Sequence, residues 1–149
     1  RHYRRHIMIR RGIRLLEERK GFGLTAKSDD DLVYNIRIYL NRGEEVPVND
    51  LKDPFHENFK KYHAEKVTVD EGYEFINFNT RLGRRDTIKG IEYSLDGMQE
   101  GGYRKVKISP HLAYKVKGIP GRVPPNAAII LEIWLRKIIK TEKHFDSAA

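Results

Sequence analysis

Two histidine pairs and two glutamate pairs are the groupings in this chain whose types and spacing could do acid–base or metal chemistry. His2 and His6 stand at i, i+4, and His56 and His63 at i, i+7. On a helix the first pair would present two imidazoles to one zinc ion, but the sequence places no third ligand beside them, so no metal is expected. Glu17-Glu18 and Glu44-Glu45 are adjacent. Neighbouring residues on a strand face opposite ways, so these are read as solvated charge rather than as a catalytic pair. There is no glycine-rich phosphate loop, no Gly-x-Ser-x-Gly elbow and no His-Glu-x-x-His helix, and no cofactor is expected. A different kind of signal lies between Pro110 and Pro125, where four prolines stiffen a loop that Gly118 and Gly121 turn.

The elements that must carry that loop follow from composition and periodicity. The chain has 149 residues, 29 of them basic and 21 acidic, for a net charge of +8. Its mean hydropathy is −0.67. This length suits one domain with one core, and no apolar run approaches the roughly 18 residues of a membrane helix. Cysteine is absent. Disulfides and thiolate chemistry are therefore excluded, and a reducing, cytoplasmic-type compartment is slightly favoured. Arg1, Arg4, Arg5, Arg10 and Arg11 make residues 1–11 a basic arm, read as a solvated terminus or first strand that could also touch phosphate. The chain starts without an initiator Met, which reads as a processed or cut fragment.

A strand is expected over Ile7–Leu16, broken near Gly12, then turns at 20–23 and 28–31. Leu32, Tyr34, Ile36, Ile38 and Leu40 share one face of the next strand, with Asn35 and Arg37 on the other. Residues 47–72 look inserted. Asp53-Pro54 would start a helix near 53–65, with Phe55, Phe59 and Tyr62 as its apolar stripe. Strands are expected at 67–69 and 73–80. A short helix follows, capped by Asp86, buried through Ile88, Ile91 and Leu95, and ended by Gly97. Val106 and Ile108 mark a strand, and Ile129, Leu131, Ile133 and Leu135 face inward on the last one, opposite Trp134. Residues 139–149 read as a tail. One helix and five or six mostly antiparallel strands make an α+β domain, a curved sheet wrapped around the helix.

Ala113-Tyr114, Gly118-Ile119-Pro120-Gly121 and Pro124-Pro125 closely resemble the loop of the FK506-binding-protein (FKBP) peptidyl-prolyl isomerases. Leu82-Gly83, Thr87-Ile88-Lys89-Gly90 and Gly97-Met98 resemble that family's helix motif. The resemblance covers roughly residues 10–46 and 73–138 and leaves 47–72 unmatched. It implies isomerisation of Xaa-Pro bonds in proline-containing or unfolded protein segments. The implied donors are the Ile88 backbone N–H and the Tyr114 hydroxyl. The implied walls are Ile36, Val46, Phe78, Thr87, Ile88, Ile91, Ala113, Ile119, Val123 and Leu131.

Such a site needs no acid, base or nucleophile. The barrier is the partial double bond of the amide, about 18–20 kcal/mol. A dry apolar cleft favours the twisted, less polar transition state over the planar ground state. The chain departs from the family where a strand tyrosine becomes Ile36, a Phe-Asp pair becomes Val46-Pro47, the floor tryptophan becomes Ile91 and a last-strand aromatic becomes Leu131. Lost ring contacts of about 0.5–1.5 kcal/mol each lead us to expect weak or narrow activity and weak or no binding of FK506-type macrolides. Two other readings stand behind this one: a proline-binding or chaperone module on the same frame, and, last, a nucleic-acid-associated basic domain.

Overall fold

The computed structural model describes residues 7–50 and 62–140. Eight strands form one antiparallel sheet: β1 (Ile7–Arg10), β2 (Ile13–Arg19), β3 (Asp31–Leu40), β4 (Glu45–Val46), β5 (Tyr62–Asp70), β6 (Tyr73–Arg81), β7 (Tyr103–Ile108) and β8 (Ile129–Ile139). Their order across the curved sheet is β1-β2-β7-β8-β3-β6-β5, with β4 paired to β3. Among the described residues a single α-helix, α1 (Lys89–Leu95), packs on the concave side. The α+β class and the sheet-around-helix arrangement are those expected. The strand count is higher because Gly12 (φ +90°) splits the first strand in two and because β4 pairs with β3.

Alternation makes the core. In β3 the side chains of Leu32, Tyr34, Ile36 and Ile38 are buried, and in β8 so are Ile129, Leu131, Ile133 and Leu135. They meet Ile91 and Leu95 of α1 and Val106 and Ile108 of β7 in one cluster. Each of these aliphatic side chains contributes about 1.5–3 kcal/mol by leaving water. The period slips once: Val33 opposes Lys137 and Tyr34 opposes Leu135, so Arg136 is the extra residue of a bulge. Beyond that bulge Ile138 takes over as the inward residue.

Helix α1 sits close to the sheet because Gly90 has no side chain; a Cβ there would lie 2.7 Å from two carbons of Ile108. Gly97, at φ +83°, ends the helix as expected. Arg104 from β7 then donates to the carbonyls of Ser94 (2.9 Å) and Asp96 (3.3 Å) while its Nε donates to Glu18 (3.0 Å). The other end differs from expectation. The N-cap is Ile88, with no side-chain cap, whereas the Asp86 carboxylate accepts a hydrogen bond from the Thr80 hydroxyl. The demand of Thr80, buried on β6, outcompetes a helix start three residues further along.

The segment boundaries also shift. Residues Tyr62–Glu65, the end of the expected helix near 53–65, belong to β5, because Tyr62 pairs with Phe78 and the Glu65 carbonyl accepts the Asn77 amide at 2.9 Å. The rest of that expected helix lies outside the described residues. Strand pairing starts at Ile7, inside the expected basic arm, and Arg10 lies 4.0 Å over the Tyr93 ring. At the other end Ile139 closes β8, and Lys140 donates to the Thr25 carbonyl (3.0 Å) and to Asp30 (2.7 Å). Residues 1–6 and 141–149, with His2 and His6, lie outside the described part, as does His56; His63 Nδ1 accepts the Glu65 N–H at 3.2 Å.

Candidate active site

Three elements converge at one end of the concave face: the link from β6 to α1, the inward side chains of β3, β6 and β8, and the loop from Pro110 to Pro125. The loop is held by its own backbone. A 3-10 turn at Pro110–Leu112 leads to Tyr114, and the Lys115 N–H returns to the Pro110 carbonyl at 2.9 Å. Pro120 and Gly121 (φ +78°) then occupy the centre of a type II turn closed by the Arg122 N–H on the Ile119 carbonyl (2.9 Å). Ile119 and Val123 exchange both backbone hydrogen bonds at 2.8 Å. Gly118 has φ +60°, and a Cβ there would overlap the Val123 carbonyl oxygen, so no other residue fits. A cleft of about 440 Å³ lies at this turn, lined by Leu40, Ile119, Pro120, Val123 and Pro124 among others.

The β6–α1 link is held from within by Glu92 of α1. Its carboxylate is buried and accepts the Arg85 N–H (3.0 Å) and the Gly83 N–H (3.3 Å). Arg85, at φ +59°, is thereby kept in a left-handed turn that delivers Asp86, Thr87 and Ile88 to the head of the helix. Glu92 thus positions Thr87 and Ile88 through the backbone. No hydrogen bond among the described residues uses the Ile88 N–H.

The side chains picked out by sequence fall into two depths. Ile36, Val46, Phe78, Ile91, Ala113, Val123 and Leu131 are buried members of the core cluster. Ile88, Tyr114 and Ile119 pack against that cluster and remain partly exposed, as does Thr87. The first set therefore forms a floor and the second a rim.

Tyr34 is the residue that sequence reading left unassigned. It stands two positions before Ile36 on the same face, is 2% exposed, and lies 6.0 Å from Phe78 ring to ring. The signal was present: a tyrosine in the inward row of a strand needs a place for its hydroxyl. That hydroxyl lies beside Thr87, with Asp86 and Glu92 near enough to act on it. Burial pushes the Tyr34 phenol well above the ordinary tyrosine range; the Thr87 hydroxyl partly opposes this, and the two carboxylates add to it. Tyr114 is raised in the same direction by burial first and by Tyr34 second. Both phenols remain protonated donors at neutral pH. The Tyr114 hydroxyl and the Thr87 Oγ1 are closed off from solvent and have no hydrogen-bond partner among the described residues.

Among the described residues, Tyr39, Tyr73, Phe75, Tyr103 and Trp134 lie on the convex face of the sheet. Their rings meet at a tilt, Tyr73 and Phe75 with centroids 4.6 Å apart, Phe75 and Trp134 4.7 Å, and Trp134 and Tyr103 5.1 Å. Arg37 and Arg19 lie over the two ends of this row, 4.2 Å from Tyr73 and 4.0 Å from Tyr103. Glu132 takes a hydrogen bond from Tyr39 (2.8 Å) and another from Tyr103 (2.6 Å). Trp134 points away from the pocket, as its place in the alternation required, and it closes this outer layer.

A family model described as FKBP-type peptidyl-prolyl cis-trans isomerase matches residues 23–136, more than half of the chain. The chain is 29% identical over 132 residues to "FK506-binding protein 4" of Chaetomium thermophilum, which covers 89% of this chain and 22% of that protein. It is 38% identical over 61 residues to the "46 kDa FK506-binding nuclear protein" of Spodoptera frugiperda, covering 41% of this chain and 15% of that one. Over 53 residues it is 43% identical to "FK506-binding protein 2A" of Rhizopus delemar, 36% of this chain and 32% of that protein. The chain spans about a third or less of the length of each of these relatives.

Proposed function

Since the chain belongs to the FKBP-type peptidyl-prolyl cis-trans isomerase family, we propose that it catalyses cis–trans isomerisation of Xaa-Pro bonds in proline-containing or unfolded protein segments. The proline ring enters between Thr87, Ile88, Tyr114 and Ile119 and rests on the floor of Ile36, Val46, Phe78, Ile91, Ala113, Val123 and Leu131. The Ile88 N–H and the Tyr114 hydroxyl hold the peptide carbonyls on either side. Removing water from the amide while it is held there favours the twisted form, in which conjugation is lost and the carbonyl carries less charge.

The observation that carries this reading is the Tyr114 phenol, protonated and without a protein partner beside an apolar floor. A hydroxyl left so costs about 1–3 kcal/mol, which a bound carbonyl would recover. Exchange NMR on a panel of Xaa-Pro peptides, with catalytic amounts of the chain and of Tyr114→Phe, tests it. Faster exchange that falls about tenfold in the variant supports the assignment; exchange no faster than in buffer refutes it.

The floor, aliphatic but for Phe78, favours modest turnover and weak or no binding of FK506-type macrolides. It also favours the second reading, a module that holds proline-containing segments without useful catalysis. The basic composition keeps a nucleic-acid role as a third reading, and the name of the Spodoptera frugiperda relative refers to the nucleus. Among the described residues no helix is long and apolar enough to cross a membrane.

A further inference from the structure

Arg14 and Lys107 stand directly opposite each other across β2 and β7. Their neighbours Ile13 and Ile108 are buried, so alternation turns both cations onto the convex side, where Arg14 is exposed and Lys107 partly so. Like charges at opposed positions repel and weaken the ladder. Neither side chain makes a hydrogen bond or ion pair among the described residues. The acids of β2 and β8 and the one at the end of α1 are engaged elsewhere. Glu17 pairs with Arg19 (3.6 Å), Glu18 with Arg104 (3.0 Å) and Asp96 with Arg10 (3.9 Å), while Glu132 holds two phenols. The two free cations line one cavity of about 260 Å³, together with Met8, Ser109 and Pro110. Met8 stands opposite Arg14 in the register and is 62% exposed.

We infer that this cavity seats a phosphate of a nucleic-acid backbone. The Arg14 guanidinium is a planar fork of donors and Lys107 a mobile point charge, and a phosphate placed between them removes their repulsion. A single acidic side chain would satisfy the pair as well, but the surroundings favour a polyanion. Residues 1–16 contain six arginines, and residues 101–131 contain six lysines and arginines, with no Asp or Glu in either stretch. These are the two stretches that build the cavity. A run of cations without intervening acids matches a chain that repeats its negative charge at every step, and each phosphate it takes releases counterions. Met8 and Pro110 then lie against the sugar beside the seated phosphate. Such contacts fix the position of a nucleic acid without reading its sequence. The inference stands apart from the isomerase reading, since the cavity shares no residue with the proposed floor or rim. It gives the nucleic-acid reading a place on the molecule.

The test follows fluorescence anisotropy of a short labelled DNA duplex over a series of salt concentrations. It compares the wild-type chain with Arg14→Gln/Lys107→Gln and with Lys66→Gln/Lys137→Gln, which loses the same charge from β5 and the far end of β8. The wild type should bind, with affinity falling steeply as salt rises. Arg14→Gln/Lys107→Gln should weaken binding about tenfold and lower the slope of log K against log salt by about 1. Lys66→Gln/Lys137→Gln should stay within about twofold of wild type on the same scale. No binding of the duplex by the wild type, or equal weakening in the two double variants, overturns the inference. So does a phosphoserine peptide or an anionic phospholipid vesicle that binds through Arg14 and Lys107 more tightly than the duplex. Urea unfolding adds a readout that needs no ligand. Lys107→Gln alone should keep or raise the unfolding midpoint, because it relieves a repulsion. A lower midpoint would mean that the fold already satisfies both cations, and would count against the seat. This inference is tested on DNA and the isomerase reading on Xaa-Pro peptides, so either can fail while the other stands.

Discussion

The two faces of the sheet treat their phenols in opposite ways. On the convex side Tyr39 and Tyr103 both donate to one carboxylate, Glu132, and arginines cover the rings around them. On the concave side the Tyr114 hydroxyl has no partner among the described residues. A buried polar group that is paired stabilises the fold, whereas one left unpaired costs it. The convex layer therefore reads as a closed structural network. The concave one leaves hydrogen-bonding capacity unused, which the proposed binding of a peptide would draw on.

Substitutions can sharpen or break this contrast. The largest effect should come from Gly118→Ala, which forces a Cβ into the Val123 carbonyl at a left-handed position. A loss of about 3 kcal/mol in urea unfolding, together with loss of peptide binding, is expected. A variant of wild-type stability would show that the backbone around Val123 yields to the added Cβ. Next, Glu132→Ala should cost about 2 kcal/mol, because two phenols lose their acceptor, while peptide affinity stays unchanged. Altered affinity would mean that the faces are coupled.

A paired comparison comes third. Tyr103→Phe should destabilise by about 1 kcal/mol, whereas Tyr114→Phe should leave stability equal or slightly higher while reducing isomerisation. Equal losses in the two variants would erase the distinction between the faces.

The smallest effect is on pH. Burial raises Tyr34, Tyr39, Tyr103 and Tyr114 above the ordinary value of 10.0, with the hydrogen bond to Glu132 adding to the rise for Tyr39 and Tyr103. A group whose folded pKa is raised contributes fully below its unfolded pKa and loses that contribution as pH rises through the folded value. Stability should hold up to about pH 10 and fall beyond it, and Tyr103→Phe should flatten the fall. A stability profile level to pH 11 would contradict the burial of these groups.

Much of this could be read from residue order alone. The alternation of Leu32, Tyr34, Ile36 and Ile38 is a local signal of period two, and it identified β3 and its inward face. Gly118, Pro120 and Gly121 demand particular backbone angles wherever they occur, so the loop was legible too. Tyr62 to Glu65 misled, because the Asp53-Pro54 start and the helical spacing of Phe55, Phe59 and Tyr62 are also local signals. The pairing of Tyr62 with Phe78 is not local, and it prevailed. Asp86 went the same way, since its partner Thr80 sits on another element. Within the candidate site, the meeting of Tyr34 with Thr87 depends on how α1 lies across the sheet, and no residue spacing encodes that.

The place of β8 in the strand order has a mechanical consequence. Its eleven residues are bonded on one side to β3 and on the other to β7, and Lys140 beyond it is clasped to Thr25 and Asp30. A pull applied at residue 140 along the strand loads both ladders in shear, so their bonds share the force and must fail together. A pull at residue 7 meets β1, four residues long with a single neighbour, and peels it away bond by bond. The domain should resist tension far better through one end than through the other.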